Sequence, residues 1–197
     1  MPGERYLVAG LGNIGAEYAE TRHNMGFIVL DAWSEASNAV FSTDRYGDVC
    51  SVKVRGREFL LLKPSTYMNL SGNAVRYWLG KMNIPAERLI VVCDDINLPF
   101  GVMRLRGSGS DGGHNGLKNI IELTGTSSFA RLRIGVGHDF STGGQIDYVL
   151  GHLDDNQMEK IPALCEKARE GITKWAFEGL QAAMNFTNAK ETEPCNK

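Results

Sequence analysis

Asn13, His23, Asn69, Asp94 and Asn115 fall in polar stretches that interrupt apolar runs, with Arg22, Lys63, Arg104, Arg106, Lys118, Arg131 and Arg133 near them in the chain. Such a set suits hydrolysis without a metal or a protein nucleophile. One imidazole can deprotonate water, a carboxylate can hold that imidazole in the needed tautomer, and carboxamides can donate to a developing oxyanion while gripping a backbone. No serine lies in a G-x-S-x-G elbow and no histidine pair has the H-E-x-x-H spacing. A single asparagine usually serves a turn, so the joint placement carries this reading. His114, beside glycines and Asn115, fits a structural or a functional role equally, while His138 and His152 read as structural.

Positioning these groups requires strands that end where the chemistry begins. Tyr6, Leu7, Val8 and Ala9 form an apolar run that Gly10 and Gly12 end, the pattern of a buried strand breaking into a loop with Asn13 just beyond. Residues 24–36 read as a helix striped by Phe27, Leu30 and Trp33, and residues 37–47 as a polar connection. Residues 51–55 and 58–62 read as a hairpin around Gly56, its second strand central and delivering residues 63–72 to the sheet edge. A helix carrying Ala74, Val75, Trp78, Leu79 and Met82 closes that loop, with Ser71 or Asn69 as its cap. Residues 89–93 form a further buried strand ending in Asp94 and Asp95. A short strand, 102–106, sets Arg104 and Arg106 on one face. The glycine-rich residues 107–116 read as too flexible for scaffold and lead into a helical 117–123, and strand 131–138 sets Arg131 and Arg133 opposite Leu132 and Ile134.

The last third is helical, with Ile161, Leu164, Ala168, Ile172, Trp175 and Gly179 at helical spacing. The expectation is a single α/β domain over residues 1–188 and a frayed tail over 189–197. In such open sheets ligands bind outside the carboxyl ends of the strands.

At 197 residues, 43% hydrophobic and 22% charged, the chain has the composition of a soluble globular protein. Twenty-one basic against twenty-three acidic residues leave a net charge of −2, so a polyanionic partner needs a local basic patch. Cys50, Cys93, Cys165 and Cys195 are scattered without C-x-x-C, which suggests neither a disulfide framework nor a zinc site and fits a reducing cytoplasm. No apolar stretch approaches a membrane span.

Two other functions compete. Gly10, Gly12 and Gly15 satisfy G-x-G-x-x-G after a strand, and residues 27–31 read equally as a second strand ending in Asp31, a dinucleotide fingerprint. From this stretch alone both readings stand, although a nicotinamide protein leaves Asn69, Asp94 and the 107–116 loop without a role. A non-catalytic RNA-binding module accounts for the basic residues but lacks an aromatic stacking platform and has no use for a His-Asp pair.

Gly10-Leu11-Gly12-Asn13, Thr21-Arg22-His23-Asn24 with Gly26, residues 67–72 (Tyr-Met-Asn-Leu-Ser-Gly), Asp94 with Leu98-Pro99 and Gly101, residues 112–118 (Gly-Gly-His-Asn-Gly-Leu-Lys) and residues 131–135 (Arg-Leu-Arg-Ile-Gly) together resemble the bacterial peptidyl-tRNA hydrolase family, in order from about Tyr6 to Leu150. The resemblance implies a monomeric cytoplasmic enzyme with a mixed twisted sheet flanked by helices and mobile loops, 97–114 and 138–150, bordering a cleft at the strand ends. It implies cleavage of the ester between a peptide and the 3′ ribose of tRNA, with no cofactor or metal and no membrane. His23 would activate water, Asp94 orient it, and Asn13 and Asn69 bind and polarise the substrate. Asn115 would hold peptide or water, Tyr18, Tyr67 and Met68 would line the peptide site, and Arg106 and Arg133 would clamp the tRNA 5′ phosphate. Ile14 stands where the family usually has proline, and Asp111 sets an acid beside the expected substrate path.

Overall fold

The three uncharged runs of the sequence become the middle of the sheet because side chains on both faces of a central strand are covered. The computed structural model describes residues 4–189, and the expected tail beyond 189 lies outside them. In chain order the elements are β1 (Arg5–Gly10), α1 (Met25–Ala36), β2 (Ser42–Asp44), β3 (Gly47–Val54), β4 (Arg57–Pro64), α2 (Ser71–Met82), β5 (Leu89–Asp95), β6 (Met103–Arg106), α3 (Asn115–Thr124), β7 (Ala130–Gly135), α4 (Gln145–Val149), α5 (Asp155–Glu178) and α6 (Leu180–Thr187). The sheet order is β2-β3-β4-β1-β5-β7-β6. Strands β4, β1, β5 and β7 run parallel, while β2, β3 and β6 pair antiparallel. This is the expected mixed sheet in one α/β domain.

Because side chains alternate across a strand, each run splits between two cores. Tyr6, Val8, Phe59, Leu61, Ile90, Val92 and Leu132 pack on the face covered by α1 and α5, against Val29, Trp33, Ala168, Ile172 and Trp175. Leu7, Ala9, Leu60, Leu62, Val91 and Cys93 pack on the other face against Ala74, Val75 and Trp78 of α2 and Leu117 and Ile120 of α3. The parallel strands all end on one edge, so the loops after Gly10, Pro64, Asp95 and Gly135 share it. No helix among the described residues is long and apolar enough to cross a membrane.

Three local expectations change, and one cap had gone unread. The polar connection 37–47 contains β2, whose three residues are all exposed and pair with β3 through their backbone, so no hydrophobic alternation marks it. The hairpin extends over β3 and β4, turning at Arg55 and Gly56, both with positive φ (45° and 84°) as the right-handed strand twist favours. Neither Ser71 nor Asn69 caps α2; the Ser71 hydroxyl instead donates back to the Met68 carbonyl at 2.7 Å. Helix α5 opens on a capping box missed in the sequence: the Asp154 carboxylate accepts from the Gln157 backbone at 2.8 Å and the Gln157 side chain accepts from the Asp154 backbone at 3.1 Å.

The dinucleotide fingerprint dissolves for a steric reason. Residues 27–31 are helical, and Asp31 pairs with Lys63 at 2.6 Å. A Cβ on Gly26 would meet the Leu11 nitrogen at 2.3 Å and the Val92 oxygen at 2.5 Å, and one on Gly10 would meet the Gly26 oxygen at 2.5 Å. Glycine lets the start of α1 dock directly on the backbone at the ends of β1 and β5. That docking brings His23 to Asp94.

Candidate active site

His23 lies in a single 3-10 turn, Arg22–Asn24, that feeds α1. The turn is fastened on both sides. The Arg22 backbone N–H donates to the Gly151 carbonyl at 3.1 Å, and its guanidinium stacks 4.4 Å from the Tyr148 ring centroid and donates to Gln157 at 3.2 Å. Asn24, 1% exposed, grips Asn13 by both backbone groups: its side-chain oxygen accepts from the Asn13 N–H at 2.7 Å and its amide donates to the Asn13 carbonyl at 2.9 Å. The Asn24 side chain therefore sets the course of the loop that carries Asn13.

Strand β5 brings Asp94 to the edge with its side chain only 3% exposed. His23 Nδ1 lies 2.9 Å from Asp94 Oδ1. With Asp94 ionised, Nδ1 carries the hydrogen and Nε2 keeps a lone pair. Burial pushes the His23 pKa down, but the charge of Asp94 and its hydrogen bond outweigh this and raise it above the ordinary value. For Asp94, burial favours the neutral acid, yet the imidazoles of His114 and His23 outweigh it and hold the carboxyl well below the usual carboxylate range.

The second imidazole is decided here. His114 Nε2 lies 3.0 Å from the same Asp94 Oδ1, and His114 Nδ1 accepts from the Gly116 and Leu117 N–H groups at 3.1 and 3.4 Å, capping α3. His23, Asp94 and His114 place ligand-type atoms within 4.8 Å of one another. Their bonding opposes a cation, since a His114 Nδ1 lone pair committed to backbone donors leaves the hydrogen on Nε2, where a metal would need an electron pair.

A cavity of about 250 Å³ opens over this cluster, lined by His23, Asp94, Asp95, Ile96, Gly112, Gly113, His114, Asn115, Leu117, Arg133, Gln145, Ile146, Val149 and Leu150. Of the residues singled out in the sequence, His23, Asp94, His114, Asn115 and Arg133 share this wall. Met68 is buried against the start of α3, where a Cβ on Gly116 would lie 2.9 Å from its sulfur and 3.2 Å from His114 Cε1. Asn13 and Tyr18 are half-buried, Asn69 is exposed and Tyr67 is 80% exposed; these four stand outside the cavity wall. The apolar wall of Ile146, Val149 and Leu150 comes from the 138–150 segment expected to border the cleft, where residues 145–149 form helix α4, and Ile96, just after β5, is the wall residue that went unmarked in the sequence.

The arginines divide their roles. The β6–β7 register pairs Arg104 with Arg133 and Arg106 with Arg131, which sets all four on one face of the sheet. Arg131 is 1% exposed and donates to the carbonyls of Gly109, Ser110, Ser127 and Phe129. Arg133 donates to the Ser110 carbonyl at 2.6 Å and approaches Asp95 at 3.6 Å. The glycine-rich loop is thus tied down by two guanidiniums, contrary to its expected looseness. Gly112 has φ 60°, a conformation that L side chains rarely adopt, so this position favours glycine. Arg106 is exposed and bonds to the neighbouring Leu105 carbonyl.

Comparison with known proteins agrees with this geometry. A family model described as peptidyl-tRNA hydrolase matches residues 7–194. The peptidyl-tRNA hydrolase of Phocaeicola vulgatus is 54% identical over 186 residues, covering 94% of this chain and all of the relative; that of Bacteroides fragilis is 53% identical with the same coverage. The crystal structure of the Acinetobacter baumannii peptidyl-tRNA hydrolase superposes with a TM-score of 0.88 at 32% identity, over 96% of this chain and 97% of that one. A sheet edge that buries a carboxylate between imidazoles beneath a cleft is thus accompanied by sequence identity along nearly the whole chain, and the chain belongs to the peptidyl-tRNA hydrolase family.

Proposed function

We infer that this chain hydrolyses the ester linking a peptide, or an N-acyl-aminoacyl group, to the 3′ ribose of tRNA, acting as a cytoplasmic monomer that recycles tRNA for protein synthesis. The observation that carries the reading is the 2.9 Å contact from His23 Nδ1 to a buried, ionised Asp94 beside the cavity. It leaves His23 Nε2 to take a proton from water as that water attacks the ester carbonyl, and Asp94 stabilises the imidazolium that forms. An ester is electrophilic enough for this attack to proceed without an acyl-enzyme. The carbonyl oxygen gains charge, which the carboxamides of Asn13 and Asn69 offset by donation. Asn115 holds the peptide or the water, and Tyr18, Tyr67 and Met68 border the peptide. The proton on Nε2 then passes to the leaving 3′ oxygen. Arg106 and Arg133 hold the tRNA 5′ phosphate.

The test is release of tRNA from N-acyl-aminoacyl-tRNA in the presence of a chelator. Wild-type protein should retain activity, whereas His23→Ala should lose roughly 10²- to 10⁴-fold in kcat while keeping its fold and its tRNA binding. Near-normal turnover by folded His23→Ala protein would overturn the assignment of the base.

A further inference from the structure

Asp94 Oδ1 accepts two imidazole N–H groups, and the role assigned to His23 uses only one of them. We propose that His114 is a positioning residue: helix α3 fixes its tautomer, making it a standing donor that holds the Asp94 carboxylate in place and tempers its pull on His23. This rests on the reading of His23 and Asp94 as the water-activating pair.

A ring nitrogen accepts a hydrogen bond only through its lone pair. His114 Nδ1 faces the Gly116 and Leu117 N–H groups at 3.1 and 3.4 Å, two of the donors that the first turn of a helix leaves without intrahelical partners. The proton is therefore placed on Nε2, which points at Asp94 Oδ1 from 3.0 Å. Adding a second proton at Nδ1 would set N–H against N–H and open the cap. Capping alone does not call for histidine, because Ser, Asn and Asp are the efficient residues at that position. What histidine adds is a donor on its far side.

The donor has a chemical consequence for His23. A carboxylate oxygen that already accepts one N–H is a weaker base toward the next. The proton then stays on His23 when the imidazolium forms, and that imidazolium is stabilised less than it would be by an undivided carboxylate. The remaining groups near Asp94 have other engagements. Asp95 receives Arg133 at 3.6 Å, Arg131 is spent on four backbone carbonyls, and burial keeps the Cys93 thiol protonated by pushing its pKa up. The two rings flank the carboxylate with centroids 5.1 Å apart, so removing one changes what the other experiences.

The experiment compares His114→Ser, which keeps a cap acceptor but loses the donor, with His114→Ala, which loses both. Both variants should shift the acid limb of the kcat/KM profile upward by roughly half a unit to one unit with little change in KM at the plateau. Thermal stability should recover in His114→Ser relative to His114→Ala. An unshifted limb in folded His114→Ser protein would overturn the proposal and leave a cap alone. Imidazole ¹⁵N NMR of the free wild-type protein supplies a readout independent of turnover. It should show the neutral His114 ring carrying its proton on Nε2, with Nδ1 as the acceptor, and His23 titrating higher in His114→Ser. A neutral His114 ring with its proton on Nδ1, or a His23 titration unmoved by the substitution, would overturn it even if His23→Ala had already shown a different base for the reaction.

Discussion

Replacing Asn24 by alanine removes both hydrogen bonds that hold the Asn13 backbone, at 2.7 and 2.9 Å, from a side chain that is 1% exposed. Each bond contributes about 0.5–1.5 kcal/mol net, so the variant should lose about 1–3 kcal/mol, near the low end if water reaches half-buried Asn13. A loss of about 2 kcal/mol corresponds to a fall of roughly 4–8 °C in Tm for a chain of this size. The kinetic effect should be larger than the stability effect suggests, because a misplacement of about 1 Å at a reacting centre costs about 10²-fold. If Asn24 acts by aiming Asn13, the loss in kcat cannot exceed that of Asn13→Ala, about 10²- to 10³-fold for an oxyanion donor. The Asn13→Ala/Asn24→Ala double variant should then be no worse than the poorer single. Asn24→Asp should be less stable than Asn24→Ala, since it buries a charge and turns an oxygen toward the Asn13 carbonyl. The assay is tRNA release under kcat conditions, with melting measured on the same preparations. Wild-type kcat in a destabilised Asn24→Ala protein would refute the reasoning, as would strictly additive losses in the double variant.

Removal of Arg106 or Arg133 should weaken tRNA binding and flatten its salt dependence by roughly 0.7 log-log units per lost phosphate contact, while hydrolysis of a short acylated nucleotide lacking the 5′ phosphate changes little for Arg106→Ala; equal losses on both substrates would assign the arginine to the fold. Stability should follow pH in a way that Asp94→Asn abolishes. The Asp94 pKa is lowered by folding, so its contribution is present above the unfolded carboxyl value of about 3.9 and declines as pH falls toward the folded value. The His23 pKa is raised, so its contribution is complete below about 6.5 and is lost as pH rises through the folded value. Urea unfolding across pH should therefore show the largest gap between wild type and Asp94→Asn from about pH 4 to 6.5, and a gap that does not vary with pH would contradict this.

The sequence by itself determined the middle of the sheet, since uncharged runs ending in Gly10, in Lys63-Pro64 and in Asp94 state locally that a strand is covered on both faces and where it stops. It also determined which chemistry was possible, through His23, Asp94, Asn13, Asn69 and Asn115, which stand in polar stretches at or beyond strand ends. Tertiary structure decided everything that depends on two distant segments meeting. Strand β2 exists through its pairing with β3, and its exposed Ser42, Thr43 and Asp44 carry no periodic signal. The glycines of the first loop served either a pyrophosphate or helix docking until α1 was seen pressed against Leu11 and Val92. Arg131 and Arg133 have the same spacing and charge on one strand, yet one is sealed among carbonyls and the other lines the cavity, because burial depends on the loop folded over them. His114 was undecidable for the same reason. Its partners are an aspartate twenty residues away and the first turn of its own helix, and the tautomer that gives it a role is set only when both are in place.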